Sequence, residues 1–222
     1  MMRQFELLST RRFAPIFITQ FLGALNDNIF RFALILAITF NNSNLASSSE
    51  RSDVSLIAGI FILPFLLFSG LSGQLADKFE KSKTIRAAKT SEVLISILAT
   101  YGFLTGNFTV LLVTLFLMGV QSTIFGPLKY SILPQQLKKD ELAGANGLMQ
   151  TGTYAAIILG SIIGGALIGA TEAGTTYISI TMIGVALLGR LSAQFILHGE
   201  ANSPQLNLDI NIVKSGCDSI AH

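Results

Sequence analysis

Long apolar runs, cut apart by polar clusters, dominate this chain. Six stretches stand out, at 13–40, 54–76, 84–105, 108–128, 146–170 and 176–198. Each is near or above the roughly 20 residues with which a helix crosses about 30 Å of hydrocarbon. Turn-forming residues separate them: Asn41-Asn42-Ser43-Asn44 with Ser47-Ser48-Ser49, then Gly106-Asn107, then Ala173-Gly174. Spanning strands would alternate over segments of about 10 residues, and these runs are continuous. The pattern predicts an all-α integral membrane protein, a bundle of six transmembrane helices. The third stretch is the least clean, because Arg86, Lys89 and Glu92 lie on its first turns and only Val93 onward is apolar. The first reads as a span and not as a cleaved leader. It is too long, Asn26-Asp27-Asn28 interrupts it, and no small-x-small cleavage site follows.

Composition narrows the class. Half of the 222 residues are apolar and 13% are charged, about half the roughly 25% charge of soluble domains. Mean hydropathy is +0.60. This excludes a soluble globular enzyme and a disordered chain. Cys217 is the only cysteine, which excludes a disulfide scaffold. A net charge of +2 gives no reason to expect a nucleic-acid partner. The placement of charge says more. With the N-terminus cytoplasmic, that face holds Arg3, Arg11, Arg12, Lys78, Lys81, Lys83, Arg86, Lys89, Lys129, Lys138, Lys139 and Lys214, against Arg51 alone outside. By the positive-inside rule both termini are expected in the cytoplasm.

The connection after the second stretch reads Gly73-Gln74-Leu75-Ala76-Asp77-Lys78-Phe79-Glu80-Lys81-Ser82-Lys83. It resembles the loop signature of the major facilitator superfamily, Gly-x-Leu-Ala-Asp-basic-x-Gly-basic-basic. Gly73 would allow close backbone approach in a tight hairpin. Asp77 would accept from backbone N–H groups or from the basic side chains Lys78, Lys81 and Lys83. The resemblance implies that Asp77 latches the inward-closed state against a helix of a second six-span half. Glu80 stands where the family has a second Gly.

A narrower resemblance rests on Gln20-Phe21-Leu22-Gly23-Ala24-Leu25-Asn26-Asp27-Asn28, on Gly126-Pro127-Leu128-Lys129-Tyr130-Ser131-Ile132-Leu133-Pro134 and on Glu141-Leu142-Ala143-Gly144-Ala145-Asn146-Gly147-Leu148. These look like the bacterial lysophospholipid transporter branch of that superfamily. The branch moves lysophospholipids, notably lysophosphatidylethanolamine, from the outer to the inner leaflet of the inner membrane, and some members are fused to an acyltransferase and an acyl-carrier-protein synthetase. The resemblance implies residues 1–198 as the N-terminal half of a twelve-span fold, with 199–222 in its central cytoplasmic loop. The expected partners are then the lysophospholipid, membrane lipids, and a second six-span half or another copy. Gly160-Ser161-Ile162-Ile163-Gly164-Gly165 and Gly169 resemble the glycine-rich fifth helix of superfamily antiporters, with Ser161 in place of Pro. By spacing alone, Gly160/Gly164 and Gly165/Gly169 are small-x-x-x-small pairs that let helices approach closely.

Polar residues inside the spans are the candidate site. Asp27, between Asn26 and Asn28, costs at least about 2.5–3.5 kcal/mol if ionised in lipid, so it should face a cavity, pair or carry a proton. Two roles are open: meeting a cationic head group, or neutralising Arg31 at i+4. Lys129 either contacts a lipid phosphate or snorkels. Glu92 is either a head-group or proton site or the partner of Lys89. Gln20 and Gln121 either line a cavity or bond between helices. His198 is expected to be interfacial. No Gly-x-Ser-x-Gly, phosphate-cradling loop, His-x4-Asp or clustered metal ligands occur, so a transporter is expected, without catalytic residues, metal or cofactor. The alternatives are the membrane module of a fused acyltransferase, half of a drug or metabolite antiporter, or a fragment without transport.

Overall fold

The computed structural model describes residues 3–39, 54–170 and 173–206. A short α1 (Arg3–Glu6) and a 3-10 turn (Leu7–Ser9) precede the bundle. Six long helices follow: α2 (Ala14–Thr39), α3 (Val54–Lys78), α4 (Lys81–Thr105), α5 (Phe108–Ser131), then, after a short α6 (Leu133–Gln136), α7 (Leu142–Ala170) and α8 (Gly174–Gln194). No strand occurs among the described residues. Five of the six are long and apolar enough to cross a membrane. The exception is α4, whose first half carries Lys81, Lys83, Arg86, Lys89 and Glu92. Burying several of these within the bundle removes them from lipid.

Local chemistry explains the tightest connection. Gly106 ends α4 with φ 64°, a left-handed conformation that glycine adopts without strain. Asn107 then caps α5, its side chain accepting from the Val110 N–H at 3.2 Å. Elsewhere helices and stretches differ at their ends. α4 starts at Lys81, because Lys81 and Ser82 gain partners that hold them out of water. α8 stops at Gln194, so His198 lies in an irregular segment and not at a helix end.

The helices pack in a series: α3 on α5, α5 on α4, α4 on α8, α8 on α2 and α2 on α7. The two ends of the series, α3 and α7, make at most marginal contact, and this leaves one side of the bundle open. Ile29, Phe30, Leu34, Leu111, Leu115, Ile178 and Met182 fill the centre, with Phe30 edge-on to Phe103 at 5.6 Å. Large apolar side chains on the outer faces stay exposed, among them Leu66, Leu94, Ile162, Ile180 and Leu188. Such a surface suits lipid and not water.

Glycines set two of these contacts. A Cβ on Gly160 would lie 2.8 Å from the Leu25 carbonyl oxygen, and one on Gly164 2.5 Å from that of Ile29. The first small-residue pair therefore seats α7 directly on the α2 backbone. A Cβ on Gly165 would lie 3.2 Å from the Leu36 side chain, and one on Gly169 would meet nothing within 4 Å among the described residues, so the second expected pair brings no backbone against backbone. Gly73 likewise has open space around it, which corrects the close backbone approach expected there. On the other side of the bundle, Gly119 of α5 admits Phe61 and Pro64 of α3.

Candidate functional site: a polar cavity on the open side

A helix turns 100° per residue, so three consecutive polar side chains cannot share one cavity. The Asn26-Asp27-Asn28 triplet divides accordingly. Asp27 falls on the face that also carries Gln20 and Arg31, seven residues before and four after it. This face borders a cavity of about 230 Å³ on the open side of the bundle. Its wall takes Gln20, Asp27, Asn28 and Arg31 from α2, Phe61 and Phe65 from α3, and Lys89 from α4. Gln121, Ser122, Phe125, Gly126 and Lys129 come from α5, and Thr153 and Ile157 from α7. Asn26 points elsewhere: its amide donates to Ser96 at 3.1 Å and approaches Glu92 at 3.5 Å, both on α4.

Asp27 is buried, and its Oδ2 accepts from Ser122 Oγ at 2.5 Å. Among the described residues its Oδ1 has no hydrogen-bond partner. The expected alternative, an Asp27–Arg31 ion pair, does not form. Arg31 donates instead to Asn28 Oδ1 at 2.8 Å, and its guanidinium lies 4.7 Å from the centre of the Phe61 ring. Phe61 and Asn28 give Arg31 neutral partners, and with Asp27 it interacts through space without a direct bond. Asn28 closes back on its own helix through Ala24 O at 2.7 Å.

Gln20 ties three helices together. Its amide donates to Met149 O at 2.9 Å, and its Oε1 accepts from Thr153 Oγ1 at 3.1 Å and Lys129 Nζ at 3.3 Å. Lys129 is thus turned inward, although its aliphatic stem allows it to snorkel. Gln121 donates to Glu92 Oε2 at 3.3 Å. Glu92 itself does not line the cavity. It is 1% exposed, behind the wall, and pairs with Lys89 at 2.6 Å. Lys89 is 0% exposed, which corrects its place among the basic residues of the cytoplasmic face. The polar side chains of the wall that sequence reasoning passed over are Ser122 and Thr153. Helical spacing could have found Ser122, since Ser122, Phe125 and Lys129 recur at i, i+3 and i+7.

The loop signature lies at one end of the bundle, away from this cavity. Asp77 accepts from Asn202 Nδ2 at 2.8 Å, and its carbonyl accepts from the Ser203 N–H. Lys81, counted among the basic residues of the cytoplasmic face and offered as a donor to Asp77, is buried and bonds elsewhere. Its ammonium donates to Glu200 O and to Asn202 Oδ1, both at 2.8 Å, while its N–H donates to Gly199 O. Lys83 pairs with Glu80 at 2.6 Å, and Lys78 lies 5.9 Å from the Phe79 ring centre. His198 Nδ1 stands 3.0 Å from Glu80 Oε1. Hydrogen bonds from Lys83 and Ser82 hold the Glu80 carboxyl down to about 2. At the neighbouring corner Arg12 forks onto both oxygens of Glu141, at 3.1 and 3.2 Å. The Lys138 N–H, and after it the Arg12 fork, pulls the Glu141 carboxyl below its ordinary value.

Comparison with known proteins accords with this geometry. The family model of the Major Facilitator Superfamily matches residues 16–207. A protein named lysophospholipid transporter LplT in Cronobacter sakazakii is 30% identical over 155 residues, 70% of this chain and 36% of that protein. Its counterparts in Escherichia fergusonii and Pectobacterium carotovorum are both 31% identical, over 66% and 70% of this chain and 34% and 35% of their own length. The match thus spans about a third of these relatives. The family match covers nearly all six long helices and the segment closing on the loop signature, and with it this all-helical membrane chain belongs to the Major Facilitator Superfamily.

Proposed function

We propose that this six-helix unit forms one wall of a transporter that carries lysophospholipid, of the lysophosphatidylethanolamine type, from the outer to the inner leaflet. Alternating access would bring the open side against a second six-helix unit, so that the cavity faces each leaflet in turn. One observation carries the reading: Asp27, whose buried Oδ1 has no hydrogen-bond partner among the described residues, lines a cavity whose wall also holds Arg31 and Lys129. A zwitterionic head group answers both charges. Its ammonium takes the Asp27 oxygen, and its phosphate takes the cations, while Phe61, Phe65 and Ile157 offer apolar surface to the acyl chain. The names of the relatives support the same substrate class.

Binding to the purified chain in lipid nanodiscs tests this. Lysophosphatidylethanolamine is expected to bind at least about tenfold more tightly than a monoacylglycerol of the same chain length, since charged hydrogen bonds contribute about 1.5–3 kcal/mol each. Equal affinities would refute the reading.

The proposed setting is the bacterial inner membrane, with both ends of the chain in the cytoplasm. Burial of Lys89 and Lys81 weakens the basic count for that face without reversing it. Because Ser82 is buried, the probes are cysteines placed at Ser48 and at the exposed Lys83, and they should label from opposite sides, Ser48 from outside and Lys83 from inside. Labelling of both from one side would overturn the topology.

A further inference from the structure

A buried lysine that lines the cavity is still without a role. Lys89 is fully enclosed, 0% exposed, inside a membrane bundle. An ammonium there is costly even when paired, and a buried ion pair is often no more stable than apolar residues of the same volume. Stability therefore gives little reason for this pair to exist. The surroundings nevertheless hold it in place. Glu92, its partner at 2.6 Å, is fixed from two other helices, by Gln121 of α5 at 3.3 Å and Asn26 of α2 at 3.5 Å. The ammonium lies 4.9 Å from the centre of the Phe125 ring, itself part of the cavity wall. Across from it stands Gly23, where a Cβ would collide with Lys89 Nζ. Only glycine leaves that slot open.

An ammonium has three N–H donors. Glu92 takes one, and no other hydrogen-bond acceptor reaches Nζ among the described residues. We propose that Lys89 is a third cation of the cavity, aimed by Glu92 through the slot at Gly23, and that its free donors take the phosphate of the lysophospholipid. This rests on the lysophospholipid reading above. Glu92 is then a positioning residue. It holds the charge in a dry wall until a second anion arrives, and its own negative charge keeps phosphate from being trapped there.

The test uses the purified chain in nanodiscs, with lysophosphatidylethanolamine and monoacylglycerol as probes. The double variant Lys89→Met with Glu92→Gln removes both charges and leaves neither unpaired, so its melting temperature should stay near that of the wild type. Its affinity for lysophosphatidylethanolamine should fall about tenfold or more, with monoacylglycerol unaffected. Wild-type affinity in the double variant would overturn the proposal, leaving the pair a structural one. Gly23→Ala keeps every charge but displaces the ammonium, and the same phosphate-selective loss is expected. Undiminished affinity there would also overturn it, even if the double variant failed to fold. Failure of the parent reading looks different: the wild type itself would not distinguish the two probes.

Discussion

Replacing Asp27 by Asn is expected to remove the preference for ammonium-bearing lysophospholipid. Affinity for lysophosphatidylethanolamine should fall about tenfold or more, while lysophosphatidylglycerol, which has the phosphate but no ammonium, should bind as before or better. The asparagine keeps the shape and still accepts from Ser122, so only the charge at the free oxygen is lost. Expression and melting temperature should hold, because losing a carboxylate from the membrane eases insertion. Adding Arg31→Gln is the informative control. If the two residues neutralised each other, the double variant would recover what the single one lost. Arg31 instead bonds Asn28 and stacks on Phe61, so no rescue is expected. Restored binding in the double variant would sink the head-group role of Asp27.

This contrast shows how far the sequence could be read. Apolar run length and the Gly106-Asn107 break were enough for six helices, because crossing hydrocarbon leaves the backbone few options. The pairing of Asp27 was not legible. Its i+4 spacing to Arg31 permits an intrahelical ion pair, and the choice against it depends on Ser122 and Phe61, which arrive from α5 and α3. Lys89 was legible only in part. Its pairing with Glu92 at i, i+3 could be read from the spacing and forms. The charge count, however, set it with Lys81, Lys83 and Arg86 on the cytoplasmic face, and only the glycine on a different helix shows that room was made for it inside the bundle. Gln20 and Gln121 do both things left open for them, lining the cavity and bonding between helices. The alternatives were never exclusive.

The second large effect is expected at Gly164. An alanine there would place its Cβ 2.5 Å from the Ile29 carbonyl oxygen and 3.2 Å from two further backbone atoms of that residue. A side chain could rotate away, but backbone cannot, so α7 and α2 must part. A stability loss of about 2–3 kcal/mol is expected, at the upper end of what overpacking costs, read as a lower melting temperature of the purified chain. Gly169→Ala, five residues further along the same helix, should melt like the wild type, since nothing among the described residues lies within 4 Å. Equal melting temperatures for both variants would mean that α2 and α7 are less tightly joined than the structure shows. The separation would also move Asp27 relative to Ser122, so ligand affinity should fall along with stability.

The segment after α8 has a mechanical consequence. Residues 195–203 double back and are stapled through Asn202 and Ser203 to Asp77, and through Gly199 and Glu200 to Lys81. Fully extended, nine such residues would reach about 30 Å, yet here they give no slack. Any unit joined downstream is therefore leashed to the α3–α4 turn and not to the tip of α8. A pull on that leash is applied to the hairpin bearing the loop signature, and its first effect is shear on the Asn202 bonds. A linker designed to graft another unit onto this chain should accordingly be measured from Ser203, since counting from Gln194 overstates its reach by those nine residues.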